Sequence, residues 1–439
     1  MEVFHPTFAG SNEFGEIETA AEFYRIVEGK EPSVVDLSCF TFTQVDLTDE
    51  KKLPKKHWEA YKLEGASFYG CKLPKYTNAE QLRQRGAFVQ EEPEGFPFRV
   101  FRAFMYKQEE LKKVDQASFD FYRTRTDLRS ILAQTIHDHF IQDALFDYLE
   151  GKTIVVIMGG HQMKRSSKPY RDVVLLGYKL AKSGFVVATG GGPGAMEAAN
   201  LGAYLFEKSE KEVDTALEIL NSVESTEAHE YMNTAAAQAV IDKFGYPKYA
   251  PSLGIPTYKY GHEPTNMFAT HVAKMFSNAV REAGLINIGN GGIIYTPGSA
   301  GTRQEIFQAS CLNHYAEKGR ERPTIFYDKK FWEDSGIVNV LRKNSSDKPF
   351  SELIHEEDSI DEILKHVINF RKARELPTLT VEDMKENHWE KTTTSSCSIK
   401  EPAKKKQKVH LKSKIKELRR KKYILDCLFT DTPAFCSKK

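Results

Sequence analysis

A chain of 439 residues exceeds one ordinary domain, and 40% hydrophobic with 28% charged residues is the content of a soluble, well-packed globular protein. The net charge of +1 hides an asymmetry: Lys400 to Lys439 holds fourteen basic and four acidic residues, so a tail of +10 balances a body of −9. Met1 is followed by no apolar signal core, no run approaches the ~20 apolar residues of a membrane span, and the six cysteines form no zinc-ligand cluster. These features predict an intracellular, reduced protein with no metal, no cofactor and no membrane contact. No repeat of 20 to 50 residues is evident, which argues against solenoids and propellers.

In chain order, residues 1–150 read as an accessory domain of mixed α/β type. Ser33 to Phe40 has the pattern of a strand, and Asp127 to Leu149 that of a helix, with Leu128, Ile131, Leu132, Ile136, Phe140 and Leu145 at three-to-four spacing. From Lys152 the pattern becomes regular. Strands are predicted at Thr153–Met158, Phe185–Thr189, Ser252–Tyr258, Gly292–Thr296 and Thr324–Tyr327. Helices are predicted at Pro169–Lys182, after Gly194, within a charged stretch from Glu207 to Phe244, and at Asn266–Ala283, Thr302–Tyr315, Phe331–Arg342 and Ser359–Arg374. This alternation predicts a Rossmann-like, doubly wound parallel sheet over residues 151–375. Residues 376–439 lose the pattern and read as a disordered basic tail.

Two glycine-rich turns lie about 105 residues apart, Gly190-Gly191-Gly192-Pro193-Gly194-Ala195-Met196-Glu197 and Pro297-Gly298-Ser299-Ala300-Gly301-Thr302-Arg303-Gln304-Glu305. Each joins a strand to a helix, so their backbone N–H groups could converge on one phosphorylated ligand. The first turn loosely fits a dinucleotide fingerprint, but Glu210 and Glu212 fall in a helical stretch rather than at a strand end, which weakens an NAD reading. A purely structural tight turn is the plain alternative. In the second turn Thr302 is placed to cap a helix or bond a phosphate, and Glu305 three residues on either completes a capping box or serves chemistry.

With these motifs the chain resembles the LONELY GUY (LOG) family, nucleoside 5′-monophosphate phosphoribohydrolases that release free base and ribose 5-phosphate. That family carries a Pro-Gly-Gly-x-Gly-Thr-x-x-Glu turn and an arginine on the preceding helix, here matched by Arg281, sixteen residues before Pro297. Its large members, the pyrimidine/purine nucleotide 5′-monophosphate nucleosidases, add an N-terminal domain, Gly-Gly-His (Gly159-Gly160-His161), Gly-Pro-Gly-Ala-Met-Glu (Gly192 to Glu197) and Glu-Pro-x-Asn (Glu263-Pro264-Thr265-Asn266). The resemblance covers about residues 151 to 375. Ser299 replaces a glycine, and Gln304 stands where the family usually has a second acid.

The resemblance implies Glu305 and Arg281 as catalytic residues. It implies a substrate site formed by Gly160, His161, Gly191, Gly192, Gly194, Met196, Glu197, Asn266, Gly298, Ser299, Gly301 and Thr302, and assembly as a homo-oligomer. A carboxylate beside an oxocarbenium-like ribose stabilises it and positions water, which suits Glu305. The alternatives are a satisfied loop histidine for His161, a surface charge for Arg281 and a helix cap for Asn266. Lys404-Lys405-Lys406-Gln407-Lys408-Val409 is similar to a nuclear localisation signal, or is a nonspecific polyanion contact. Three functions therefore stand: a cytoplasmic or nuclear nucleotide nucleosidase, a silent nucleotide sensor or scaffold, and a nucleic-acid-associated protein acting through the tail.

Overall fold

The computed structural model describes residues 15–38, 40–222, 234–247, 249–261, 265–380 and 382–383. Residue 381 and residues 384–439 of the predicted tail, with Cys39, Glu263 and Pro264, lie outside the described residues, and so do Cys397, Cys427 and Cys436. Among the described residues no helix is long and apolar enough to cross a membrane.

The first sheet has four parallel strands in sequential order: β1 (Glu16–Ile17), β2 (Thr41–Thr43), β3 (Ser67–Tyr69) and β4 (Phe88–Gln90). Helices α1 (Ala20–Val27), α2 (Lys55–Ala60) and α3 (Ala79–Gln84) connect them. This corrects the expectation of no repeat. β2 lies on β3 in the register Thr41↔Ser67, Phe42↔Phe68 and Thr43↔Tyr69. Outside the strands Asp36 bridges Lys62 and Asp46 bridges Lys72, each 26 residues apart, with ion pairs of 2.9 Å. Phe42 and Phe68 stack at 4.4 Å between ring centres. Gln44 and Gly70, at equivalent places, both take positive φ, 57° and 61°. The region is a short stack of strand–helix coils with its own apolar core running from Ile17 to Val89. Ser33 to Phe40 is not a strand: it holds a 3-10 turn at Pro32–Val34 and the single bridge at Asp36.

Two long helices follow, α4 (Gln108–Thr124) and α5 (Leu128–Leu149), the second capped by Asp127, whose carboxylate accepts the Ser130 amide at 3.0 Å. The predicted span of α5 agrees, and of its predicted stripe Leu145 is buried and Ile136 and Phe140 pack against a core cluster, but the first turn departs from it. Leu128 and Ile131 are exposed, while Ala133, His137, Asp138, Ile141, Ala144 and Leu145 are buried. Residues from Met105 onward, including Leu111 and Ile141, share the core of the second sheet.

That sheet has seven strands, all parallel: β5 (Ile154–Met158), β6 (Val186–Thr189), β7 (Ser252–Gly254), β8 (His271–Val272), β9 (Gly292–Tyr295), β10 (Thr324–Tyr327) and β11 (Ile354–Glu357). Their spatial order is β11-β10-β9-β5-β6-β7-β8. The direction of progression reverses between β9 and β5, as in a doubly wound Rossmann-like fold. The sequence pattern predicts β5, β6, β9 and β10 within a residue or two. Ile154–Met158 is buried along its whole length, the mark of a strand covered on both faces.

Helices α6 (Lys168–Lys182), α7 (Ala195–Tyr204), α8 (Glu210–Ser222) and α9 (Thr234–Phe244) agree with expectation. Four expectations need correction. The predicted strand at 252–258 stops at Gly254 and gives way to a 3-10 turn at Tyr258–Tyr260. The predicted helix at 266–283 is instead loop and edge strand β8, and helix α10 (Asn278–Ile288) begins only after the Ser277 cap. The helix predicted at 331–342 is broken by Gly336, at φ 69°, into α12 (Lys329–Ser335) and α13 (Ile337–Asn344). Between α10 and α12, α11 (Ala300–His314) precedes β10. After α14 (Ile360–Ala373) the expectation of a disordered tail from residue 376 is corrected: Leu379 is buried in the core with its amide on the Gly184 carbonyl at 3.1 Å, and the Pro377 carbonyl takes the Thr153 hydroxyl at 2.5 Å.

Candidate active site

The reversal in strand order places three turns side by side at the carboxyl ends of β5, β6 and β9. Backbone bonds lace them together: the Gly160 amide donates to the Pro297 carbonyl at 3.0 Å, and the Ala195 amide to the Gly160 carbonyl at 3.1 Å. Such closeness requires glycine. At Gly194, with φ +69°, a Cβ would sit 2.4 Å from the Gly160 carbonyl oxygen and 2.5 Å from that of His161. At Gly298 it would meet the Thr302 hydroxyl at 2.2 Å.

The turns enclose a cleft of about 270 Å³ lined by Gly160, His161, Gly191, Gly192, Met196, Arg281, Ser299, Gly301, Thr302 and Glu305 among others. These ten are residues singled out from sequence. A larger hollow of about 540 Å³ among Phe96, Phe98, Arg99 and Tyr106 lies away from the carboxyl ends of β5, β6 and β9 and holds none of the residues singled out from sequence.

Helix α11 starts at Ala300 behind Ser299, which makes no side-chain cap. The capping-box alternative for Thr302 and Glu305 therefore does not describe this helix. Thr302 lies inside the first turn and Glu305 about one turn further along. The Arg303 amide bonds the Ser299 carbonyl. The preceding amides are those a helix start leaves for an anion.

Arg281 and Glu305 meet at the floor. Arg281 is 7% exposed, with Nη1 3.8 Å from Glu305 Oε1 and Nη2 donating to Asn278 Oδ1 at 2.7 Å. Its buried Nε has no hydrogen-bond partner among the described residues. Burial pushes the Glu305 carboxyl up to about 7, against the pull of Arg281 and with the help of Glu282. A carboxyl held near neutrality is the acidity that proton-transfer chemistry uses. Gln304 donates to Glu282 Oε2 at 3.2 Å, a bond that a second acid at this position would replace with repulsion.

Four residues named from sequence stand behind the lining. Gly194 and Gly298 shape the turns. Glu197 is 3% exposed, and its oxygens take Arg165 Nη2 at 2.7 Å, Arg165 Nε at 2.9 Å and the Tyr170 hydroxyl at 2.8 Å. Asn266 donates through Nδ2 to the Gly192 carbonyl at 3.1 Å, and its amide donates to the Gly191 carbonyl at 2.9 Å. Both brace the first turn, and Asn266 caps no helix.

Sequence reasoning missed Lys274, Glu282, Thr257, Tyr260 and Thr265 of the lining. Lys274 is 1% exposed, 2.7 Å from Asp115 Oδ1 and 3.1 Å from Thr265 Oγ1. Burial lowers its ammonium and Asp115 opposes that. The false helix at 266–283 concealed it, and its partner lies on α4, far back in the chain.

Fold and site together define an α/β protein of Rossmann-like fold with a turn-lined cleft at the strand-order reversal. Among solved structures the chain is similar to the molybdenum cofactor binding protein of Rippkaea orientalis, at 17% identity and TM-score 0.31, covering 49% of this chain and 98% of that one. It is also similar to the molybdenum cofactor carrier protein of Chlamydomonas reinhardtii, at 14% identity and TM-score 0.29, covering 50% and 99%. No protein-family model and no curated protein matches the sequence.

Proposed function

We propose that the chain is a nucleoside 5′-monophosphate phosphoribohydrolase of LOG type. The observation that carries this is the buried Arg281–Glu305 pair at 3.8 Å in a cleft roofed by two glycine turns and the start of α11. The amides of Gly298 to Thr302 anchor the 5′-phosphate, so the ribose is held over Glu305. The C1′–N bond breaks with its electron pair leaving on the base, and an oxocarbenium-like ribose develops beside the Glu305 carboxylate. Glu305 takes a proton from water as the water oxygen bonds to C1′, and the departing base nitrogen takes a proton from solvent, so that one water is consumed and free base and ribose 5-phosphate are released. Arg281 holds the carboxylate and supplies a donor to ligand oxygens.

The test is incubation of the protein with AMP, GMP, IMP, CMP and UMP, with chromatography for free base and ribose 5-phosphate. Base is released by the wild type and falls ~10³-fold in Glu305→Ala, within the range for loss of a proton-transfer group. Nucleotide binding without release of base from any of the five overturns the enzyme reading in favour of a silent nucleotide binder.

A further inference from the structure

The stretch from Asn266 to Ser277 carries Lys274 to the cleft and runs into α10 without a helix of its own, and the part of the chain before residue 150 holds it. Gln108 Nε2 donates to the carbonyls of Asn266 and Ala269 at 2.8 and 3.0 Å. Tyr106 and Val272 exchange both backbone bonds, at 2.9 and 3.0 Å. Asp115 takes the Lys274 ammonium. Asp138, on α5, accepts the amides of Phe276 at 2.8 Å and Ser277 at 2.7 Å.

The last grip differs in kind from the others because it leads straight to Arg281. Ser277 is the N-cap of α10, and its carbonyl accepts the Arg281 amide at 3.1 Å. One residue therefore takes Asp138 on its amide and Arg281 on its carbonyl. Asp138 is itself 3% exposed and oriented by a buried chain: His137 Nδ1 lies 3.1 Å from Asp138 Oδ1, and His137 Nε2 lies 2.7 Å from the Tyr106 hydroxyl. Burial lowers the His137 ring, with Asp138 opposing. In its neutral form Nδ1–H donates to the carboxylate, and Nε2 accepts from Tyr106. Phe276 is packed against His137, Phe98 and Tyr258, which leaves little freedom for the segment to settle elsewhere.

We propose that Asp138, oriented by His137 and Tyr106, is a positioning residue that sets the placement of Arg281 against Glu305. It gives the N-terminal part of the chain a role in the cleft without any residue of its own touching the reacting atoms. Only the kinetic arm of its test rests on the proposed phosphoribohydrolase reading.

The groups facing Glu305 are Arg281 and Glu282 from α10 and Tyr295 from β9, with His161 and Lys274 elsewhere on the cleft wall. Of these Arg281 is the one that lowers the Glu305 carboxyl. A retreat of the guanidinium by ~1.5 Å, at an effective dielectric of ~20, raises that carboxyl by about one pH unit. Thermal unfolding of the full chain across pH 5 to 9 reads this without substrate. The difference in stability between a protein and its Glu305→Gln counterpart changes from pH 4.5, where the unfolded carboxyl ionises, and levels off at the titration midpoint of the folded carboxyl, so the pH of levelling-off reads that midpoint.

In the wild-type background the midpoint falls near 7. In Asp138→Asn it is expected about one pH unit higher. A merely structural role lowers stability at every pH and leaves the midpoint in place, and that result, in a protein with native near-ultraviolet circular dichroism, overturns the proposal. Should Asp138→Asn not fold, Tyr106→Phe is read in the same way: a smaller upward shift supports the proposal and an unmoved midpoint overturns it. In the kinetic arm kcat falls ~10-fold with KM within ~2-fold, and the acid limb of the pH profile moves with the midpoint. A moved midpoint in a chain that cleaves no nucleotide sinks the phosphoribohydrolase reading alone. Cleavage with an unmoved midpoint sinks the positioning role alone.

Discussion

Both sheets of this chain are built from parallel strands joined by helices, yet among the described residues the glycine-turn cleft belongs to the second. In the four-stranded sheet the strands follow one another in sequence order, each coil stacked on the last. In the seven-stranded sheet the order reverses between β9 and β5, so the chain turns away from those two strands in opposite directions, and the cleft lies at their carboxyl ends, where their turns stay bonded side by side. Strand–helix–strand units therefore yield a solenoid when the progression never turns and a binding crevice when it turns once. Topology, more than composition, separates the scaffold from the site.

That contrast can be broken or sharpened by substitution. The largest effect on stability is expected from Phe68→Ala, which removes a fully buried ring stacked on Phe42. Denaturant unfolding should show a loss of about 3–5 kcal/mol, while the folded fraction keeps whatever activity the proposed phosphoribohydrolase assay finds in the wild type. Next comes Glu305→Gln. The carboxyl titrates near 7 folded against 4.5 for the free side chain, so the neutral form's stabilisation is complete below 4.5 and disappears as pH rises through 7. By pH 8 the Gln variant should be the more stable by up to about 3 kcal/mol, with the two equal at pH 4, by unfolding at both pH values. Equal stability at pH 8 would remove the perturbed carboxyl from the site.

Gly194→Ala should cost about 2 kcal/mol and abolish the proposed nucleotide binding, because its Cβ meets the His161 carbonyl and the Gly160 carbonyl that ties the turns together through the Ala195 amide. Calorimetry of nucleotide binding decides this, and retained affinity would mean the turns are looser than their bonds imply. The smallest effect belongs to the charge ladder of the coils. Lys72 and Asp46 are both half-exposed or more, so Lys72→Met should change stability by at most about 1 kcal/mol, and less in high salt.

What the sequence discloses follows from how local the determining contacts are. Ile154–Met158 and Gly292–Tyr295 announce themselves as apolar, β-branched runs ahead of glycine turns, and those turns locate most of the cleft. The coil repeat escapes notice because equivalent positions conserve shape and complementary charge: Asp36 matches Lys62 and Gln44 matches Gly70. The stretch from Asn266 to Ser277 has helical spacing, but its amides and carbonyls find partners at Tyr106, Gln108 and Asp138, more than a hundred residues back. Tertiary hydrogen bonds outweigh propensity there. Lys274 was hidden by the same misreading, and Leu128 and Ile131 show an apolar stripe that the fold leaves outside.

The paired backbones of Tyr106 and Val272 also bear on how the molecule keeps to itself. β8 ends the seven-stranded sheet, where an open strand would offer a ribbon of unsatisfied amides and carbonyls to any other extended chain. A single residue from ahead of α4 occupies both groups of Val272 in antiparallel fashion. The border is thereby stoppered from within the same polypeptide, and growth of the sheet by strand addition from a neighbouring molecule is blocked at that margin.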